Sequence, residues 1–310
     1  MNIQILNKIR EYDRIVLFRH VNPDLDCLGA QFGLYQWLTD NFNDKKISLA
    51  GDFDFDIVNL FKFHDFQKVS DDAGDYLAIV MDTANYDRID GDVSKAKEII
   101  KIDHHIVVDS FGHINLELFS SSTCEILANL VKEFGLILTK ETARLFYIGI
   151  IGDSNRFLYD STTPATFKAA IALLETGINI TGIYDELYLK DAKDLEIKKY
   201  IYNKYQVKGN VAYFILNQED LDALDITREK GSDNVNLLAG IKEFKIWVAI
   251  TQDTLHGNYR VSMRSRNKDV RQVAEKFNGG GHRQAAGARV RDLGEVEQLL
   301  EMLKELAENE

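Results

Sequence analysis

Three short apolar runs end abruptly in carboxylates or imidazoles, and this pattern constrains the fold more than any other feature of the chain. Arg14-Ile-Val-Leu-Phe-Arg19 leads into His20-Val-Asn-Pro-Asp24-Leu-Asp26, Ala78-Ile-Val-Met81 into Asp82, and Ile99-Ile-Lys-Ile102 into Asp103-His104-His105. Runs of this length and composition predict buried strands, with a further strand at 46–50. Helical spacing of apolar residues falls between and after them, at 2–12, 27–41, 121–135, 140–151 and 164–176, with a short helix expected near 56–62. Thr163-Pro164 suits the last long helix, with Thr as cap and Pro in its first turn. Strands alternating with helices predict an α/β fold whose N-terminal sheet is mostly parallel and covered by helices on both faces. Such sheets bind ligands beyond the C-terminal ends of their strands, where these polar clusters fall.

The pattern changes around 186–199, a charged stretch expected to connect two domains, 1–185 and 200–310. The second is expected to be a smaller α/β domain. It opens with a hairpin over 205–216 turning at Gly209-Asn210, followed by strands at 246–250 and 259–263. A helix over 269–277, a glycine-rich loop at 279–281 and a helix near 294–308 complete the expectation.

Composition removes several function classes. An apolar fraction of 45% with 28% charged residues is that of a globular protein. No run approaches the ~20 apolar residues that cross a bilayer, and no signal-peptide pattern opens the chain, so no membrane partner is expected. Two cysteines, Cys27 and Cys124, provide neither a disulfide framework nor a thiolate metal knuckle. The expected setting is the cytoplasm. A net charge of −12 argues against tracking long duplex nucleic acid, whose phosphates demand a basic surface. It leaves small phosphorylated ligands open, because bound cations invert the field of an acidic pocket.

The polar clusters suggest which cations. His20, His104, His105 and Pro23 fall within them although the chain has only seven histidines and two prolines. Gly152-Asp153-Ser154, after a helical run, adds a fourth acidic turn. Taken singly, Asp26 fits as a helix cap and Asp24 as a solvated carboxylate. Taken together, imidazoles and carboxylates without thiolate suit a pair of divalent ions, with one carboxylate bridging, and Mn(II) suits the donors.

His20-x-x-Pro23-Asp24-x-Asp26, Asp82, Asp103-His104-His105 and Gly152-Asp153-Ser154 occur in the order that resembles the DHH phosphoesterase superfamily. The resemblance implies His20 and Asp24 on one metal, Asp26, His104 and Asp153 on the other, and Asp82 bridging. It implies that His105 meets the substrate phosphate while Asp103 supports it, so that Asp82, Asp103 and His105 are the catalytic set. Leu25, Cys27, Ala30 and Asn155 depart from the usual pattern without removing a ligand; Cys27 is expected to be a buried thiol. Arg260-Val-Ser-Met-Arg264 followed by Gly279-Gly280-Gly281-His282 resembles the DHH-associated C-terminal domain. From that part Arg264, Gly279, Gly280, Gly281 and His282 are expected to bind substrate anions, with Arg156 a further contact. The two domains together resemble the group that hydrolyses short oligoribonucleotides, pApA and 3′-phosphoadenosine 5′-phosphate. Inorganic pyrophosphatase, RecJ-like exonuclease and a dinucleotide sensor are the alternatives, and a homodimer is left open.

Overall fold

A computed structural model describes residues 2–53, 59–70 and 74–309. They divide into two compact units, Met1–Leu189 and Lys190–Glu310.

The first unit begins with α1 (Asn2–Glu11), β1 (Arg14–Phe18), α2 (Leu25–Asn41) and β2 (Lys46–Leu49). There follow β3 (Leu77–Met81), β4 (Glu98–Asp103), β5 (Ile114–Glu117), α3 (Thr123–Phe134), α4 (Lys140–Asp153), α5 (Pro164–Leu174) and α6 (Ile180–Tyr188). The strands form one parallel sheet in the order β2-β1-β3-β4-β5. β3 is buried along its whole length, as a strand covered on both faces must be. On one face Ile15, Leu17, Ile79 and Ile102 pack with Phe32, Trp37 and Phe146 of the helices. On the other, Val16, Phe18, Ala78 and Val80 form a smaller core. The strand order reverses direction at β1 and β3, and a crevice opens where neighbouring connections leave in opposite directions.

The sequence reading misses β5, whose Ile114-Asn-Leu-Glu117 is too short and mixed to stand out. Of the short helix expected near 56–62, residues 56–58 lie outside the described residues, and 59–61 are helical. The stretch read as a connection is largely helical, comprising the end of α6 and the first half of α7 (Ala192–Lys204).

The second unit continues with β6 (Gln206–Lys208), β7 (Val211–Leu216), α8 (Gln218–Leu224), α9 (Arg228–Asp233), β8 (Ile246–Asp253) and β9 (Asn258–Ser265). It ends with α10 (Arg271–Ala274), β10 (Gly280–His282), β11 (Ala285–Val290) and α11 (Leu293–Glu308). Its sheet runs β10-β11-β9-β8-β7-β6, antiparallel except where β7 meets β8. Leu299, Leu300 and Leu303 of α11 cover one face. Ile197 and Ile201 of α7 with Leu221 of α8 cover part of the other. The expected glycine-rich loop is an edge strand: Gly280 pairs with Gly287 and His282 with Ala285. Gly279 is fixed by this close approach, since a Cβ there would lie 2.0 Å from the Gly287 carbonyl oxygen.

Candidate active site

The loops after β1, β3 and β4 and the C-terminal end of α4 bring eight of the expected residues into one cluster: His20, Asp24, Asp26, Asp82, Asp103, His104, His105 and Asp153. Asp24, not Asp26, is the cap of α2; its Oδ1 accepts from the backbone N–H groups of Asp26 and Cys27, each at 3.0 Å. Capping takes one oxygen of Asp24 and leaves Oδ2 3.6 Å from His20 Nε2.

The imidazoles of His20 and His104 are aimed by their backs. His20 Nδ1 donates to the carbonyl of Val21 at 2.8 Å, and His104 Nδ1 to that of Ser120 at 3.2 Å. Each ring therefore turns Nε2 into the cluster, the arrangement in which metal-binding histidines are held by an outer hydrogen bond. Asp82 lies between them, with Oδ2 3.4 Å from His20 Nε2 and Oδ1 3.4 Å from His104 Nε2. Its backbone is left-handed, with φ of 53°, an uncommon conformation retained where surrounding structure enforces it. His104 Nε2 also faces Asp153 Oδ2 at 3.3 Å and Asp26 Oδ2 at 4.0 Å.

Five carboxylates in one place repel one another, and the environments of Asp26, Asp82 and Asp153 separate these three. Burial pushes the Asp26 carboxyl up, with the neighbouring Asp82 charge adding to it. Burial likewise raises Asp153, to about 6. Burial also opposes ionisation of Asp82, but hydrogen bonds from His104 and His20 hold it below the usual range. For His104, burial favours the neutral ring, yet the hydrogen bond to Asp82 and the charges of Asp26, Asp82 and Asp153 lift it to about 10. Such a cluster holds protons at neutral pH in place of cations. Divalent ions fit it: the donors are imidazole nitrogen and carboxylate oxygen, aimed inward, with excess negative charge to balance them.

Residues outside the expected set complete the site. The N-terminus of α3 points at Asp26, which accepts from Thr123 N at 2.6 Å and Cys124 N at 3.0 Å. This buried carboxylate is thus held by a helix end. Thr123 Oγ1 donates to Asp82 Oδ1 at 3.1 Å. The start of α3 is stabilised in turn: the Ser122 side chain accepts from Glu125 N, and Glu125 Oε2 accepts from Ser121 Oγ at 2.6 Å. The spacing Ser122-x-x-Glu125 was the available sequence signal. Behind Asp103, the fully buried Lys101 lies 3.4 Å from its Oδ2 and 2.7 Å from Glu117.

Asp103 Oδ1 accepts from His105 Nδ1 at 2.8 Å, and His105 remains partly exposed. Cys27 is buried beside His20, its thiol pushed up by burial to about 11. Beyond Asp153, the backbone of Asn155, Arg156 and Phe157 is left-handed at all three residues. Arg156 is exposed, its guanidinium over the Tyr188 ring with 5.2 Å to the centroid. Beside the cluster, a cavity of about 430 Å³ has His104, His105 and Asp153 at its wall and Ile106, Leu118 and Phe119 exposed around it.

The remaining expected residues are in the second unit. Arg264 is half-buried and donates to the Met263 carbonyl at 2.9 Å. His282 is exposed on the edge strand, and the φ of 136° at Gly281 is one that glycine permits.

Comparison with known proteins agrees with this architecture. Residues 14–150 match the DHH family, N-terminal domain, and residues 196–309 match the DHHA1 domain. The chain is 35% identical over 306 residues to a probable bifunctional oligoribonuclease and PAP phosphatase NrnA of Streptococcus mutans, covering 97% of each. It is 30% identical to the bifunctional oligoribonuclease and PAP phosphatase NrnA of Bacillus subtilis, covering 99% of this chain and 98% of that one. Among solved structures, an exopolyphosphatase-related protein from Bacteroides fragilis aligns with a TM-score of 0.84 at 25% identity, covering 99% of this chain and 97% of that one.

Proposed function

The chain belongs to the DHH family, its N-terminal domain followed by a DHHA1 domain, and on that footing we propose that it hydrolyses short oligoribonucleotides, pApA-type dinucleotides and 3′-phosphoadenosine 5′-phosphate. The products are nucleoside monophosphates, with inorganic phosphate also released from 3′-phosphoadenosine 5′-phosphate, and the cofactors are two divalent ions, for which Mn(II) suits the donors. The observation that carries this reading is Asp82, whose two oxygens each face a different imidazole at 3.4 Å.

In this reading His20 and Asp24 would hold one ion, Asp26, His104 and Asp153 the other, and Asp82 would serve both. When bound, such ions stabilise charge on the phosphoryl oxygens and lower the pKa of water. The protein's own work is placement. The α3 N-terminus and Thr123 fix Asp26 and Asp82, so the two carboxylates stay ordered. Asp103 fixes the His105 ring by accepting from Nδ1. Nε2 of His105 is then left to meet a phosphate oxygen or the leaving oxygen. Arg264 and the Gly279–His282 strand bind substrate anions, and Arg156 is a further contact. The buried free thiols Cys27 and Cys124 suit a reducing, cytoplasmic setting.

The test is product analysis with pApA, 3′-phosphoadenosine 5′-phosphate, pyrophosphate and long single-stranded RNA, with Mn(II) and with chelator. Metal-dependent conversion of the first two to mononucleotides is expected. Turnover of pyrophosphate alone, preference for long strands, or nucleotide binding without turnover would each replace this reading.

A further inference from the structure

Cys27 is one of the positions at which the chain departs from the usual pattern of its family, and it directly follows Asp26. It falls in the first turn of α2, where its N–H donates to Asp24 Oδ1 at 3.0 Å. Side chains on a helix point back toward its N-terminus. The thiol accordingly turns toward the loop that carries His20 and Asp24, with Sγ 3.6 Å from the Asp24 carbonyl oxygen. It is fully buried.

Four kinds of donor meet there. Cys27 Sγ, a ring nitrogen of His20 and one carboxylate oxygen each from Asp24 and Asp82 all lie within 4.8 Å of one another. Within that group His20 Nε2 is 3.6 Å from Asp24 Oδ2 and 3.4 Å from Asp82 Oδ2. Two donors bonded to one ion at about 2.0–2.3 Å are separated by at most about 4.6 Å. The spread of the group is thus close to that of donors around a single ion, sulfur included.

The other cysteine shows what a packing role looks like. Cys124 is equally buried and its Sγ donates to the Asp26 carbonyl at 3.4 Å. A Cβ on Gly29 or Gly149 would lie 3.1 or 2.3 Å from that sulfur, so it fills the space two glycines leave. Among the described residues Cys124 joins no group of metal donors. The two positions for ions therefore differ in chemistry. Asp26, His104 and Asp153 offer only nitrogen and oxygen, whereas His20, Asp24 and Asp82 share their position with sulfur. Thiolate is a soft ligand and favours softer ions than carboxylate does.

We propose that Cys27 is a metal donor that sets ion preference: its sulfur joins His20, Asp24 and Asp82 on one ion and shifts that position toward Co(II) or Zn(II) and away from Mn(II). The sulfur–metal bond forms as the S–H bond breaks, and the proton passes to solvent. The proposal rests on the assignment of His20, Asp24 and Asp82 as ligands made above.

The experiment is titration of the metal-free, full-length protein with Co(II) under a phosphine reductant, followed by absorption spectroscopy, with calorimetric titration of Co(II) and Mn(II) beside it. The wild type is compared with Cys27→Ser, Cys27→Ala and Cys124→Ser, each checked by thermal unfolding in chelator. Wild type and Cys124→Ser should gain the near-ultraviolet charge-transfer absorption of a thiolate bound to Co(II), and both Cys27 variants should lack it. The Cys27 variants should bind Co(II) at that position at least roughly tenfold more weakly, with a smaller loss for Mn(II). Co(II) bound by the wild type without the charge-transfer absorption would overturn the proposal and leave the ligand assignment standing. Absorption kept in Cys27→Ser and lost in Cys124→Ser would also overturn it, as would equal weakening of both ions in the Cys27 variants. Failure of the wild type to bind either ion would overturn the ligand assignment and the proposal together.

Discussion

Gly149→Ala tests whether packing beneath the cluster sets its metal affinity. A Cβ on Gly149 would lie 2.3 Å from Cys124 Sγ and 2.9 Å from Asp26 Oδ1. Neither neighbour can retreat easily, since Cys124 is fully buried on α3 and Asp26 is tied to the N–H groups of Thr123 and Cys124. Alanine gains about 1 kcal/mol over glycine in a helix interior. Overpacking a rigid core costs about 1–3 kcal/mol. With two contacts this short the clash dominates, for a net loss of about 1–2 kcal/mol. In a unit of this size that lowers the melting temperature by roughly 2–8 °C. The displaced Asp26 carboxylate should weaken Mn(II) binding roughly tenfold, about 1.4 kcal/mol. Gly33→Ala is the control: its Cβ would lie 2.5 Å from the Phe146 ring, two turns along α2 from Asp26. It should cost similar stability and leave metal affinity alone. Thermal unfolding in chelator and calorimetric Mn(II) titration read the two effects. Wild-type metal affinity in Gly149→Ala, or equal loss in both variants, would refute the reasoning.

Chelation of the wild type should lower its melting temperature, since each ion at 100 times its dissociation constant contributes about 2.7 kcal/mol; Asp26→Asn should show a much smaller response. Metal uptake should release protons, read as a dependence of binding heat on buffer ionisation enthalpy. The sign follows from His104, lifted to about 10 and so protonated in the metal-free protein at neutral pH; apparent affinity therefore rises with pH. Asp103→Asn should keep metal binding and lower kcat by at least roughly tenfold, because His105 loses the carboxylate that orients its ring. Equal kcat in that variant would remove His105 from the proton transfer.

Much of this was legible because the metal-site chemistry sits at strand ends. An apolar run that stops at Asp82 or Asp103 announces both the strand and the edge where ligands bind, so fold and cluster could be read together. What escaped was set by contacts distant in sequence. The support of Asp26 by Thr123 and Cys124 spans 97 and 98 residues, and the helix read at 121–135 carried no sign of its contact with Asp26. Asp24 took the cap expected of Asp26 because the helix begins two residues earlier than its apolar periodicity suggests. The Gly279–Gly281 run carried no strand signal, since glycine has no side chain to alternate. Its pairing with β11 became visible only through the close approach to Gly287.

The most direct test of the central claim, that one carboxylate serves two ions, is Mn(II) stoichiometry together with pApA turnover in wild type and Asp82→Asn. The account predicts two ions per wild-type chain and metal-dependent release of AMP. In the variant it predicts fewer than two ions and a rate lowered by more than about 100-fold, beyond what loss of an outer contact alone produces. Two ions bound to Asp82→Asn with near-wild-type turnover would contradict it.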